Sequence, residues 1–123
     1  MAIPSRLTGS GLPAQAAVNI CGDVASTLTA TGTSNADALR LTAAINEVTT
    51  TALGTGVLLP PLEVGASVFV HNAGANALLV YPGTTGAQIN ALTATTGGFS
   101  IAAGGKALFV AVSGTRWSAL LSA

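Results

Sequence analysis

The chain has 123 residues, with four Lys and Arg, four Asp and Glu, and a formal net charge of zero. Charged residues make up 7% of the sequence, whereas an ordinary soluble domain has about 25%. Because the charges are few and scattered, the composition excludes the basic patch that binding to DNA or RNA requires. Since 50% of the residues are hydrophobic and a small domain keeps much of its surface in water, we expect this chain to pack against other subunits.

The first 33 residues are predicted to form an N-terminal arm. Glycines at positions 9, 11 and 32 interrupt regular structure, and residues 26–33 are a Ser/Thr/Ala tract with little to bury. A short helix over residues 13–20 would be compatible with Pro13 in its first turn, although eight residues are marginal alone. We expect the arm to become ordered on a partner; a partly disordered leader is the alternative.

The beginning of the chain also lacks the continuous apolar core of a signal peptide, because Pro4, Pro13, Gln15 and Asn19 interrupt it. The longest apolar runs are the length of strands and fall far short of the ~20 residues of a membrane helix. We therefore expect synthesis in the cytoplasm of the producing cell and no membrane partner. Cys21 is the single cysteine, which excludes an intrachain disulfide framework and is typical of a small buried hydrophobe.

From residue 34 onward the pattern predicts a β domain that extends to residue 123. Apolar residues at 39, 41, 43 and 45 alternate with other residues, which predicts a half-buried strand over residues 39–46. The β-branched residues at 48–51 continue it. A helix over residues 36–48, capped by Asn35, is the alternative, since Ala and Leu favour helices.

Short strands and turns then follow at regular intervals. The predicted strands cover residues 57–59, 67–71, 77–81, 88–90, 99–102, 107–112 and 116–121. Glycine- and asparagine-containing turns suggest that the strands at 67–71 and 77–81 form a hairpin, as do those at 99–102 and 107–112 and the last two. About eight short strands at this spacing predict a mainly β fold, a compact antiparallel sandwich or barrel preceded by the extended arm.

Several of these strands are apolar on both faces, which indicates that a second sheet or a neighbouring subunit covers each side. Aromatic and aliphatic side chains in these runs are the candidates for the core or for oligomer packing. They are Phe69, Val70, Leu79, Tyr81, Phe109, Val110 and Trp117.

No combination of residues predicts catalysis, and we expect neither an enzyme nor a cofactor or metal site. His71 is the single histidine, so the usual set of metal ligands is missing. A serine nucleophile in a G-x-S-x-G elbow is absent, and nothing selects a pair of carboxylates. A histidine beside a turn is typically a hydrogen-bonded structural residue. Tyr81 and Trp117 are expected in the core, and an exposed platform for a sugar is the alternative.

Several stretches of turns and packing positions carry a family resemblance. They include CGDVASTLTATGT at 21–33, GVLLP at 56–60 and NAGANALLVYP at 72–82, together with residues 38–42, 46–50 and 89–90, Phe109 and Trp117. These stretches resemble small virion proteins of tailed bacteriophages, of the capsid decoration (cement) or head-fibre type. The resemblance covers most of residues 10–121, and its motifs indicate a lineage better than a role.

The resemblance implies a protein on the capsid surface that binds the major capsid protein and itself, as a homotrimer whose N-terminal arms hold capsomers together. The arm residues expected to anchor it are the apolar or ionic ones in an otherwise bland segment. They are Ile3, Pro4, Arg6, Leu7, Leu12, Pro13, Val18 and Ile20. The alternative is a tail-fibre or receptor-binding knob that recognises a surface glycan with the loops at 71–76 and 82–85.

Overall fold

The computed structural model describes residues 23–122, together with Gly11, Pro13 and Ala16. Residues 23–122 form ten strands and no helix, which confirms the mainly β prediction. The strands form two sheets that share one core, as in a sandwich. The prediction of an antiparallel fold is wrong, because five of the eight strand pairs are parallel.

The two sheets differ in size. The large sheet contains β1 (Val24–Thr29), β3 (Ile45–Thr50), β5 (Ser67–Asn72), β7 (Gln88–Ile89), β9 (Lys106–Ser113) and β10 (Arg116–Leu121). The small sheet contains β2 (Leu39–Arg40), β4 (Gly56–Leu58), β6 (Leu78–Tyr81) and β8 (Phe99–Ile101). Their strand orders are β1-β3-β5-β9-β10-β7 and β2-β4-β6-β8.

The first six strands alternate between the sheets, so the chain winds as a coil of three turns. In the large sheet β1, β3 and β5 pair in parallel, and in the small sheet β2, β4 and β6 do the same. Val24 lies beside Ile45, which lies beside Phe69. Each turn therefore stacks on the previous one, as in a short solenoid.

The last strands end this coil by pairing with its third turn. In the small sheet β8 runs antiparallel to β6, and in the large sheet β9 runs antiparallel to β5. A hairpin then adds β10 beside β9, and β7 pairs in parallel with β10. The third turn of the coil is therefore covered by the chain itself.

Apolar side chains from both sheets fill the space between them. Val48, Val70 and Phe109 of the large sheet and Val57 and Val80 of the small sheet are fully buried. The rings of Phe99 and Phe109 meet edge to face, with centroids 5.4 Å apart. Such a pair adds about 1 kcal/mol to the contribution from buried area, and it joins β8 of one sheet to β9 of the other.

The predicted continuous strand over residues 39–46 is wrong. Leu39 and Arg40 form β2 in the small sheet, whereas Ile45 begins β3 in the large sheet. Leu41 and Ala43 lie between these strands with their side chains buried. The alternation of apolar residues therefore continues through the segment that connects the two sheets, although residues 41–44 are not part of a strand. The alternative helix over residues 36–48 is not present.

Two of the three predicted hairpins are also wrong. Strand β5 and strand β6 lie in different sheets, as do β8 and β9, whereas the last two strands do form the predicted hairpin. The buried Asn72 explains the first crossing. Its side chain amide donates hydrogen bonds to the carbonyls of Asn76 and Ile101, and its oxygen accepts one from the N–H of Gly74. These bonds hold the chain in a turn toward the small sheet.

The sheet begins earlier than residue 34. Val24–Thr29 forms β1, Ala30 is buried in the core, and Thr31 bridges to Gly56. Residues 24–31, which the sequence placed in the arm, are therefore part of the sandwich. Of the predicted arm, residues 23–33 and Gly11, Pro13 and Ala16 are described, and the rest, with most of the predicted helix over 13–20, lies outside the described residues.

Candidate interaction surface

A row of apolar side chains crosses the outer face of the large sheet. Each β-strand directs alternate residues away from the core, and the strand registers bring five of these outward residues side by side. From β1 to β10 they are Val24, Ile45, Phe69, Leu108 and Leu120, which we call the apolar row.

The apolar row is open to solvent along its length. The exposed fractions are 62% for Val24, 39% for Ile45, 42% for Leu108 and 71% for Leu120, while Phe69 at the centre is half-buried. An open groove of about 280 Å³ lies among Phe69, Leu108 and Leu120. Because the largest exposed apolar patch of a protein is often functional, the apolar row is a candidate interaction surface.

A second row, parallel to the first, carries charge. Glu47 of β3, His71 of β5 and Lys106 of β9 lie two residues along their strands from the apolar row. The Nδ1 of His71 is 3.5 Å from the Oε2 of Glu47. We call these three residues the charged row; a negative group stands at one end of it and a positive group at the other.

The centre of the outer face of the small sheet is covered by the chain itself, whereas Arg40 and Ser100 on the two edge strands are exposed. Tyr81 lies on this face, because its neighbours Leu78 and Val80 point into the core, yet only 5% of Tyr81 is exposed. Its ring passes over Gly56 and Gly98. A Cβ at those positions would lie 2.8 Å and 3.1 Å from the ring atoms.

A polar pocket of about 180 Å³ lies at the rim of this covered face. Arg40, Asn35 and threonines 84, 85 and 95 line it. Several of these groups already have partners within the chain. The Nη1 of Arg40 donates to the carbonyl of Leu59 at 2.6 Å, and the Oγ1 of Thr84 accepts from the N–H of Leu62. The pocket can hold a small polar ligand, with Asn35 and the remaining N–H groups of Arg40 as contacts.

The loop before β2 contains a carboxylate with a perturbed pKa. The Oδ1 of Asp37 accepts hydrogen bonds from the N–H groups of Ser34 and Thr33, each at 3.0 Å. These bonds, that of Ser34 foremost, lower the pKa of Asp37 below its ordinary value because they favour the charged form. Asp37 thereby stabilises the turn over residues 33–37, which leads into β2 at the edge of the small sheet.

The residues considered for catalysis do not come together as a reactive site. Glu47 is the one carboxylate within ion-pair distance of His71 among residues 23–122, and neither Asp23 nor Asp37 is. The same residues hold no group of three or more His, Cys, Asp or Glu that could bind a metal. No helix in the described part of the chain has the length and hydropathy needed to span a membrane. Cys21 lies outside it.

Tyr81 and Trp117 do not form a sugar platform, and this alternative is wrong. Trp117 has no exposed surface, and its indole N–H finds no hydrogen-bond partner among the described residues. Tyr81 is covered as described above. Stacking on a sugar requires an open ring face, which neither residue has.

The packing candidates fall into two groups. Val70, Tyr81, Phe109 and Trp117 are buried, whereas Phe69, Leu79 and Val110 lie half-buried on the outer faces of the sheets. The arm candidates Ile3, Pro4, Arg6, Leu7, Leu12, Val18 and Ile20 lie outside the described residues, and Pro13 is exposed.

Sequence reasoning missed four members of the apolar row. Val24, Ile45, Leu108 and Leu120 lie on four different strands whose pairing is not visible in the sequence. The signal in the sequence is an apolar residue at an exposed position next to a buried one on each strand. These residues can be recognised as one surface only once the strand order is known.

No protein-family model, curated protein or solved structure matches the chain. The resemblance to virion proteins of tailed bacteriophages therefore remains a prediction from the sequence.

Proposed function

We propose that this protein is a structural component of an assembly, without enzymatic activity, and that the assembly is a bacteriophage head whose surface it decorates. The observation that supports packing against other subunits is the apolar row on an open sheet face. The resemblance in the sequence supports the virion as the location and the major capsid protein as the partner.

In this proposal the β sandwich is a rigid module placed across a junction between capsomers. A shell filled with packaged DNA is under pressure, and its weak points are the seams between its subunits. A module that buries apolar area on both sides of a seam stabilises it without any chemical step. The arm would attach the module, and several arms in one oligomer would add avidity.

The first test is the copy number of this chain in purified particles, measured by mass spectrometry against the major capsid protein. A simple ratio to the capsid protein is expected for a decoration protein. A few copies per particle would instead place the chain on the tail or a vertex, and absence from the particle would refute the proposal.

A second test separates the arm from the sandwich. Deletion of residues 2–20 removes the candidate anchors but none of residues 23–122. We expect a folded sandwich that no longer binds capsids. Loss of the folded state in this deletion would contradict the assignment of residues 2–20 to an arm.

The polar pocket beside Arg40 favours a second candidate function, a knob that binds a surface glycan. Its small volume and its lack of an aromatic wall fit a single polar group better than a stacked sugar ring. Binding to a glycan array that Arg40→Ala abolishes would support this candidate. If no glycan binds, the pocket is a structural feature of the rim.

A further inference from the structure

We propose that the apolar row is a two-fold contact between two copies of this chain, which pack the outer faces of their large sheets against each other. The proposal rests on the packing role proposed above but not on the virion as its location. Three features support a second copy as the occupant: the symmetry of the row, the arrangement of charge beside it and the size of the patch.

The apolar row is symmetric about its centre. Five strands contribute one side chain each, and Phe69 on β5 is the third of the five. A two-fold axis parallel to β5 that passes over Phe69 places this ring against its copy. The same rotation places Ile45 over Leu108 of the second copy and Val24 over Leu120. Apolar residues therefore meet apolar residues throughout, as a self-complementary interface requires.

The charged row selects this axis. A rotation about the direction of β5 exchanges the two sides of the sheet but keeps positions along the strands. Glu47 on β3 thus faces Lys106 of the second copy, and Lys106 faces the second Glu47. The contact between the two copies therefore contains the Glu47–Lys106 pair twice, once on each side of the axis.

The other two-fold axis in the plane of the contact, perpendicular to the strands, gives a worse match. It would place the charged row over the opposite flank of the apolar row, where Ser67 and Val110 lie. Glu47 and Lys106 would then lose water without gaining partners of opposite charge, which is unfavourable. Charge complementarity thus favours the axis along β5, about which the strands of the two copies run in the same direction.

The size of the patch predicts a reversible dimer. Five strands at about 4.8 Å spacing span about 19 Å, and the flanking rows give a similar extent along the strands. Such a patch is smaller than the ~800 Å² per partner of a standard interface. We therefore expect dimerisation that depends on concentration. The trimer that the sequence resemblance implies would need a different contact surface. A protein with both the two-fold contact and a trimer contact would form a hexamer.

The test is sedimentation equilibrium of the purified full chain over a wide range of concentration. The chain should pass from monomer toward dimer, and Leu120→Glu should weaken the dimer by about 100-fold because the buried carboxylate would have no partner. Leu53→Glu is the matched control, because Leu53 is 85% exposed and lies outside the apolar row. The dissociation constant of the dimer should be the same in this variant as in the wild type. Circular dichroism of both variants verifies the fold.

A charge exchange tests the axis. Glu47→Lys alone, or Lys106→Glu alone, places like charges in contact at two symmetric positions and should weaken the dimer by about tenfold. The double variant Glu47→Lys/Lys106→Glu should restore the wild-type association. If the double variant is as weak as the single ones, the proposed axis is wrong.

Three results would overturn the pairing. They are a monomer at every concentration, an oligomer that Leu120→Glu leaves unchanged, and a trimer with no dimeric or hexameric species. Capsid binding is measured separately, by sedimentation with particles. Failure of the two-fold contact and failure of the decoration role are thus distinguishable.

Discussion

The outer faces of the two sheets are built from the same kinds of strand but are completed in different ways. On the small sheet, Tyr81 is covered because the chain passes over it near Gly98, and Gly56 provides space beneath its ring. On the large sheet, Phe69 occupies a similar central place, yet its neighbours Leu108 and Leu120 remain exposed. The same apolar composition thus supports intramolecular stability on one face and leaves the other available for association.

The largest expected difference between the two faces comes from their central aromatic residues. Tyr81→Ala should lower the free energy of unfolding by about 4 kcal/mol, because a buried ring is removed and leaves a cavity. Phe69→Ala, on the open face, should cost about 1 kcal/mol in the monomer. Urea unfolding of dilute protein measures both. Equal losses would show that the two faces are equally covered.

Gly56 tests how closely β4 approaches β6 within the small sheet. A Cβ at this position would lie 2.6 Å from the carbonyl oxygen of Leu79, a backbone atom that cannot move aside. Gly56→Ala should therefore lower the free energy of unfolding by about 3 kcal/mol. Gly114→Ala is the control, because its Cβ would meet no atom within 4 Å, and a loss of under about 0.5 kcal/mol is expected.

Asn72 tests the crossing from the large sheet to the small one. Asn72→Ala removes the side-chain N–H groups that now donate to the carbonyls of Asn76 and Ile101, while the carbonyl of Asn76 keeps the hydroxyl of Thr51 as a donor. We expect a loss of about 2 kcal/mol in the free energy of unfolding, read from thermal or urea denaturation. Asn35→Ala, at a half-buried asparagine on the rim of the polar pocket, should cost less. A neutral Asn72→Ala would mean that the crossing does not depend on this side chain.

The open face should tolerate polar substitution. Leu108→Thr introduces a β-branched residue, which suits a strand, at an exposed position of β9, so the stability of the monomer should change by less than about 0.5 kcal/mol. The same variant should weaken self-association. Leu78→Thr, on a buried position of β6, is the contrasting control and should destabilise strongly.

The smallest effect is expected at acid pH in the loop that leads into the small sheet. The pKa of Asp37 is lower in the folded protein than in the unfolded chain, so this residue stabilises the fold above the unfolded pKa of about 3.9. That contribution is lost as pH falls through the lower folded value. Asp37→Asn should flatten this part of the curve of stability against pH, and an unchanged curve would contradict the role of Asp37.

The mainly β class of the fold could be predicted from the sequence. Period-two apolar patterns and frequent turn residues identified most strands, the short strand at residues 88–90 and the terminal hairpin, because these signals are local. The low charge indicated a protein that packs against others. The absence of clustered acids, bases and ligands gave no reason to predict catalysis.

Only the tertiary structure decided how the strands pair and which residues meet on a surface. A strand's alternation shows which side chains are buried but carries no information on its partner, so the parallel coil was taken for a series of hairpins. The buried Asn72 holds the turn that takes the chain from the large sheet to the small one, and alternation does not reveal such a crossing. The apolar row consists of residues from five strands, far apart in sequence, that become neighbours only through strand order and register.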